Sequence, residues 1–136
     1  MTLREWLEKP SHRFRWGGQG GDDCLMFCAS WVEHVTGVDP VADFRGTYGT
    51  EEEAHAIVEQ HGGMIALVGK MAARSGFEHT DCPEDGDIGI IIAPAGLGGS
   101  LKEVGAIKFG PLWAVIGPAG VRAKKAECIA AWRVPQ

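Results

Sequence analysis

Cys24 is the residue of this chain that is best placed for nucleophilic chemistry. It follows Asp23 and begins a stretch in which apolar residues recur every three or four positions, up to Gly37. That spacing predicts a helix with Asp23 as its N-cap and Gly37 after its last turn. The unpaired N–H groups of a first helical turn, together with the helix dipole, favour a thiolate over a thiol. Cys24 is therefore a candidate nucleophile, and the backbone N–H at its helix start is a candidate oxyanion-hole donor.

A cysteine hydrolase also needs a base that accepts the thiol proton and later protonates the leaving amine, and this base is usually a histidine. His12 is the best placed histidine, because it precedes the glycine-rich segment that leads to Cys24. His34 lies ten residues along the same helix, which is about 15 Å at the helical rise. Glu103 is the second candidate base, although a carboxylate beside a thiol destabilises the thiolate.

The elements that position Cys24 are expected to be helices in the first part of the chain. Four glycines between residues 17 and 21 allow the backbone to turn tightly before the Cys24 helix. Capping-box spacings at Thr2 and Thr50 predict two more helices, the first running to about residue 9 and the second ending at Gly62. A fourth helix is expected over residues 65–75, before Gly76.

The pattern changes near Pro83. Short apolar, β-branched runs separated by glycine and proline predict strands of an antiparallel sheet, over residues 88–92, 104–109, 113–116, 121–123 and 128–134. Helices followed by strands indicate an α+β fold in which the N-terminal helices pack on a C-terminal antiparallel sheet. At 136 residues the chain is expected to form a single domain, residues 1–136.

Composition excludes several classes of function. The formal net charge of -5, without a basic block, argues against a nucleic-acid partner. The cysteines at 24, 28, 82 and 128 lack the spacing of a zinc site, so we expect no metal and no cofactor. The chain has no apolar run of the roughly 18 residues that span a membrane and no signal-peptide pattern, so we expect synthesis in the cytoplasm.

Several motifs occur in an order that resembles the NlpC family of papain-like cysteine peptidases. They are Phe14-Arg15-Trp16-Gly17-Gly18, Asp23-Cys24, Gly86-Asp87-Ile88 and the segment Gly105-Ala106-Ile107-Lys108-Phe109-Gly110. The resemblance implies a papain-like fold in which the nucleophile helix packs on an antiparallel sheet. It also implies an activity, the cleavage of peptide stems in bacterial cell walls.

The chain departs from that family at the catalytic histidine. When Gly110 is aligned with the glycine that ends the family's strand, the histidine position falls on Val104, beside Glu103. The next predicted strand, 113–116, supplies no polar side chain. A short uncharacterised family from phage tail-gene clusters is similar as well, because it shares the turn Gly46-Thr47-Tyr48 and an end like Ala131-Trp132-Arg133-Val134.

Three functions follow as hypotheses. The first is a degenerate NlpC-like protein of a phage or prophage tail, which acts in tail assembly or tail-tip structure, has other tail proteins as partners and enters the virion. The second is an active cysteine peptidase or amidase on peptidoglycan stems, with Cys24 as nucleophile and His12 or Glu103 as base. The third is non-catalytic ligand binding in a groove, for which the candidate residues are Trp16, Gly17, Gly18, Trp31 and Trp113.

Overall fold

A computed structural model describes residues 1–94 and 100–136 of the chain. Four helices come first: α1 (Leu3–Leu7), α2 (Cys24–Thr36), α3 (Glu51–Gln60) and α4 (Met64–Arg74). Five strands follow: β1 (Ile88–Pro94), β2 (Leu101–Phe109), β3 (Leu112–Gly117), β4 (Gly120–Lys124) and β5 (Glu127–Trp132). The α+β class and the order of the elements are therefore confirmed.

The helices begin at the predicted caps. Thr2 forms a complete capping box with Glu5, and the Asp23 side chain accepts a hydrogen bond from the N–H of Met26. The Thr50 hydroxyl accepts the N–H of Glu53, but the Glu53 carboxylate takes the N–H of Gly49 and not that of Thr50. α1 is shorter than expected, because it ends at Leu7 and its C-cap is at position 8.

The five strands form one antiparallel sheet in the order β4-β3-β2-β1-β5. β1 to β4 follow one another as neighbours, and β5 returns to pair with the free side of β1. The register of β1 and β5 shifts between Ile90 and Ile91, which marks a bulge in this pair. β5 ends at Trp132, two residues earlier than predicted.

The two faces of the sheet carry separate apolar clusters. The helix-side cluster joins strand residues such as Ile90 and Ile107 to Phe27 and Trp31 of α2. The outer cluster comprises Ile91, Ala93, Val104, Ala106, Trp113, Val115 and Ala131. In the outer cluster the Trp113 indole lies across β1, since a Cβ at residue 89 would come within 2.8 Å of its ring.

A third cluster lies away from the sheet and is called the loop-side cluster. It comprises Met26, Ala29, Val41, Tyr48, Leu67 and Met71. Through Met26 and Ala29 it packs the other side of α2, so α2 is the central helix of the fold. Within the described ranges, none of the helices is long and apolar enough to cross a membrane.

Candidate functional site around Cys24

The start of α2 is fixed by the buried carboxylate of Asp23, which is 1 % exposed. Its Oδ1 accepts the N–H of Met26 at 3.0 Å. Its Oδ2 accepts the N–H of Gly17 at 3.1 Å and the hydroxyl of Tyr48 at 2.5 Å. Both oxygens are thus engaged in holding Cys24 and its helix in place, and three donors balance the burial of the charge.

The Trp-Gly-Gly and Gly-Thr-Tyr motifs contact each other directly beside Asp23. Gly17 has φ +96°, and a Cβ there would lie 2.0 Å from the carbonyl oxygen of Tyr48. The carbonyl of Gly17 accepts the N–H of Gly46 at 2.8 Å. Burial and the negative charge of Asp23 raise the pKa of Tyr48, so its phenol stays protonated and donates. Only glycine allows this approach of the two segments.

Arg45 connects the same loop to the middle of α2. Its guanidinium donates to Asp39 at 2.5 Å, to Asp22 at 3.2 Å and to the hydroxyl of Ser30 at 3.1 Å. It also donates to the carbonyl of Gly18 at 3.2 Å. These contacts are partly buried and charge-assisted, so they hold the glycine segment against α2. The geometry makes Gly18 and Asp22 parts of a positioning network.

Cys24, the first residue of α2, is partly buried where this helix meets the sheet. It packs against both the helix-side and the outer cluster. The close contact is made possible by Gly105 of β2, where a Cβ would lie 3.0 Å from the Cys24 carbonyl oxygen and 3.3 Å from the sulfur of Cys28. Burial, followed by the negative charge of Asp23, raises the pKa of Cys24 from 9.0 to about 12. The backbone amides of Gly105, Leu25 and Cys24 act in the opposite direction. The thiol is therefore protonated near neutral pH.

His12 is engaged elsewhere. Its Nε2 lies 2.6 Å from the carbonyl oxygen of Trp6, and its ring packs edge-on against Trp6 and Phe27. The other four histidines have their own neighbours: His34 stacks on Trp31, His55 lies 3.7 Å from the Glu59 carboxylate, and the rings of His61 and His79 pack edge-on against Phe44 and Trp132. In the part of the chain that the structure describes, no histidine is hydrogen-bonded to Cys24.

Side chains along β2 alternate between the two faces of the sheet, so Glu103 and Val104, at the family's histidine position, lie on opposite faces. Ile90 is opposite Gly105 and Ile92 is opposite Glu103, so Glu103 shares the helix-facing side of the strand with Gly105. Val104 belongs to the outer cluster on the other side. Glu103 is exposed, and the described residues form no ion pair with it.

A family model described as "Domain of unknown function (DUF6950)" matches residues 1–134. The chain belongs to this family. The search of curated proteins and the search of solved structures each found no match to the chain. The match of the DUF6950 model extends over the whole of the site and over all five strands.

In this DUF6950 chain the Gly-Asp-Ile motif has a structural position. Asp87 is fully buried, and its carboxylate accepts the N–H groups of Glu84 and Val134 and the guanidinium of Arg133. The carbonyl of Gly86 accepts the indole N–H of Trp31 at 2.8 Å. The motif therefore ties α2 and the C-terminal segment to the start of β1.

The aromatic residues considered for a groove lie in different places. Trp16 is partly buried and packs against the loop-side cluster, Trp31 belongs to the helix-side cluster and Trp113 to the outer cluster. The structure thus brings Trp16, Gly17 and Gly18 together but does not bring Trp113 to them. Among the described residues, no group of three or more His, Cys, Asp or Glu side chains is arranged to hold a metal ion.

Two residues of the site were missed by reasoning from the sequence. Tyr48 stands 25 residues after Asp23, and Arg45 stands 23 residues after Asp22. The signal in the sequence is the Gly46-Thr47-Tyr48 turn, which enters only through the resemblance to the phage family. A buried tyrosine needs a hydrogen-bond partner, and Asp23 is the acceptor that it finds.

Proposed function

We propose that this chain is a non-catalytic relative of the NlpC-type papain-like peptidases that acts in the assembly or tip structure of a phage or prophage tail. The observation that carries the proposal is the state of Cys24. Its thiol has a raised pKa, and no histidine in the described chain is bonded to it. A cysteine in this state lacks both the thiolate and the proton carrier that amide cleavage requires.

The papain-like fold is supported by the position of Cys24 as well as by the element order. The cysteine is the first residue of the central helix, and that helix packs directly on a strand of an antiparallel sheet through Gly105. This is the arrangement that the resemblance implies for the nucleophile. An active relative would carry a histidine on the same strand.

A tail role is supported by the motifs shared with the phage family and by their contacts. The Gly46-Thr47-Tyr48 turn bonds to Asp23 and Gly17, so it belongs to the structural core of the site. The segment at the end of β5 fixes Asp87 through Arg133 and Val134. Both shared motifs therefore maintain the fold, as expected for a scaffold retained without catalysis. In this proposal the protein is made in the cytoplasm and enters the tail.

The catalytic question is tested with muropeptides that contain intact peptide stems. The purified protein and its Cys24→Ala variant are incubated with them at pH 6 to 9, and free amino groups are measured. We expect no release above the no-protein control for either form. Cleavage by the wild type that is lost in Cys24→Ala would show an active cysteine peptidase and refute the proposal.

The fold assignment is tested with a matched pair of histidine substitutions. Glu103→His adds an imidazole on the helix-facing side of β2, whereas Val104→His places it in the outer cluster. We expect Glu103→His to accelerate iodoacetamide modification of Cys24 at pH 7, because an imidazole near the sulfur favours the thiolate. Val104→His should lower stability without this gain. Acceleration by Val104→His alone would contradict the placement of Glu103 on the side of Cys24, and acceleration by neither variant would contradict a papain-like placement of β2.

The tail role requires that a phage or prophage encodes the chain, and it is tested by deletion of the gene there. Deletion of the gene is expected to give particles with incomplete tails, visible by electron microscopy, and Cys24→Ala supplied in trans is expected to restore them. Failure of a folded Cys24→Ala protein to restore tails would mean that the thiol is needed. Normal tails after deletion would refute the assembly role.

A further inference from the structure

The outer edge of β4 is open. β4 is the last strand of the sheet and, among the residues that the structure describes, pairs with β3 alone. Within residues 1–94 and 100–136, no other segment forms a backbone hydrogen bond to residues of β4. The other end of the sheet is different, because the carbonyl of Ala131 on β5 accepts the N–H of Thr80 at 2.9 Å.

The register shows which groups of β4 point outward. Gly117 and Gly120 are paired across a two-residue turn, and the closing pair of such a hairpin is hydrogen-bonded. Bonded and non-bonded pairs then alternate, so Val121 and Ala123 direct their N–H and C=O groups away from β3. The two-residue turn between β2 and β3 gives the same result. Its register directs the N–H and C=O groups of Ala114 to β2, so Ala114 forms no backbone hydrogen bonds with Ala123, which lies opposite it on β4.

A groove adjoins this edge on the helix-facing side of the sheet. Its volume is about 440 Å³, and its lining is mainly apolar, with Leu7, Phe109, Val121 and Ala123 beside the polar Lys9 and His12. Val121 and Ala123 thus offer outward backbone groups and also face the groove. A strand added to β4 would place every second side chain in it.

The charges around the edge are mainly positive. Arg122 and Lys124 project from the other face of β4, and Lys9 lines the groove. Glu8, which also lines it, is paired with Arg4 at 3.4 Å. The chain as a whole carries a net charge of -5, so this edge is a local exception. Two copies paired through β4 would bring these cations together, which disfavours self-association.

We propose that the outer edge of β4 binds an extended, acidic segment of a partner protein as an additional antiparallel strand. Apolar side chains of the segment enter the groove, and the intervening Asp or Glu side chains face Arg122 and Lys124. Backbone hydrogen bonds to Val121 and Ala123 supply affinity, and the two rows of side chains supply selectivity. The inference goes beyond the proposed function and does not depend on whether Cys24 is inert.

The test uses a fluorescein-labelled hexapeptide of alternating valine and glutamate and measures anisotropy with the full chain. Two N-methylated peptides serve as a matched pair. In antiparallel pairing the valines lie opposite Val121 and Ala123, so methylation of the valine nitrogens removes the bonds to β4. Methylation of the glutamate nitrogens leaves those bonds intact. A valine–lysine peptide controls for charge.

We expect the valine–glutamate peptide to bind, and we expect the double variant Arg122→Glu/Lys124→Glu to weaken binding roughly tenfold or more. Circular dichroism of the variant confirms that it is folded. Glutamate methylation should retain binding, whereas valine methylation and the lysine peptide should lose it. Absence of binding to the folded protein, equal binding of the lysine peptide, or loss on glutamate methylation would overturn the proposal. A dimer in ultracentrifugation that Ala123→Pro dissociates would assign the edge to a second copy and overturn it as well.

Discussion

Iodoacetamide is expected to modify Cys24 far more slowly than Cys82 in the native protein. Cys82 is exposed and gives an internal reference in the same sample. Burial and the charge of Asp23 raise the pKa of Cys24 from 9.0 to about 12. Since the thiolate is the reacting form, the rate at Cys24 is limited by its very small thiolate fraction.

The size of the effect follows from the shift in pKa. A rise from 9.0 to about 12 lowers the thiolate fraction near neutral pH about a thousandfold. A thiolate of higher pKa is also more nucleophilic, with a Brønsted coefficient of about 0.4–0.5, which recovers roughly 16- to 30-fold. The net expectation is a rate roughly 30 to 60 times lower than that of an ordinary thiol, before steric protection is counted.

Mass spectrometry of tryptic peptides after timed quenching measures both rates, at pH values from 7 to 10. The rate at Cys24 should rise throughout this range and reach the Cys82 rate only when the protein is unfolded in guanidinium. Modification of Cys24 at pH 7 at a rate equal to that of Cys82, or a plateau near pH 7, would refute the reasoning, because either result requires a thiolate that the burial forbids.

Three other perturbations have defined outcomes. Tyr48→Phe removes one of three donors to Asp23 and should lower the free energy of unfolding in urea by about 1–3 kcal/mol; an unchanged value would contradict the role of this bond. Gly37→Ala, at φ +82° in open space, should lower the free energy of unfolding by about 1–2 kcal/mol. Gly17→Ala should lower it clearly more, because the new Cβ meets the Tyr48 carbonyl. Equal losses in the two variants would argue against that contact. The raised pKa of Cys24 means that the protonated thiol stabilises the fold fully below pH 9.0 and that this contribution is lost as the pH rises towards about 12. Urea titrations should therefore show that the free energy of unfolding falls less between pH 8 and pH 10 in Cys24→Ser than in the wild type. Equal falls would contradict the raised pKa of Cys24.

The starts of the helices could be predicted because their signals are local. A hydroxyl or carboxylate oxygen can accept a hydrogen bond from the free N–H three residues later, and this bond does not depend on contacts with distant parts of the chain. Thr2, Asp23 and Thr50 are all N-caps in the structure. The strands were similarly visible, since glycine and proline separate the apolar runs. The end of α1 was placed too late because a weak pattern of four or five residues does not define a C-terminus.

The chemistry of the site depends on contacts that no local pattern contains. The bond from Tyr48 to Asp23 joins residues 25 positions apart, and it requires the Gly17 loop to fold back on the Tyr48 segment. The sequence also does not show which face of β2 is turned towards α2. The pairing register decides this, because a shift by one residue exchanges the two faces. Alignment on Gly110 pointed to Val104, whereas the pairing with β1 places Glu103 on the side of Gly105.

A position at a helix N-terminus does not by itself activate a cysteine. The helix dipole and the first-turn amides contribute about 0.3–1 kcal/mol, and up to about 2 kcal/mol in partly buried sites. The rise in the Cys24 pKa corresponds to about 4 kcal/mol in favour of the thiol, with those amides already acting against it. Burial against the sheet and the charge of Asp23 therefore prevail. Asp23 cannot be removed without loss of the cap that places the cysteine, so activation of this site would require a cation on β2. On its helix-facing side β2 carries the carboxylate of Glu103 two residues from Gly105, and not a cation.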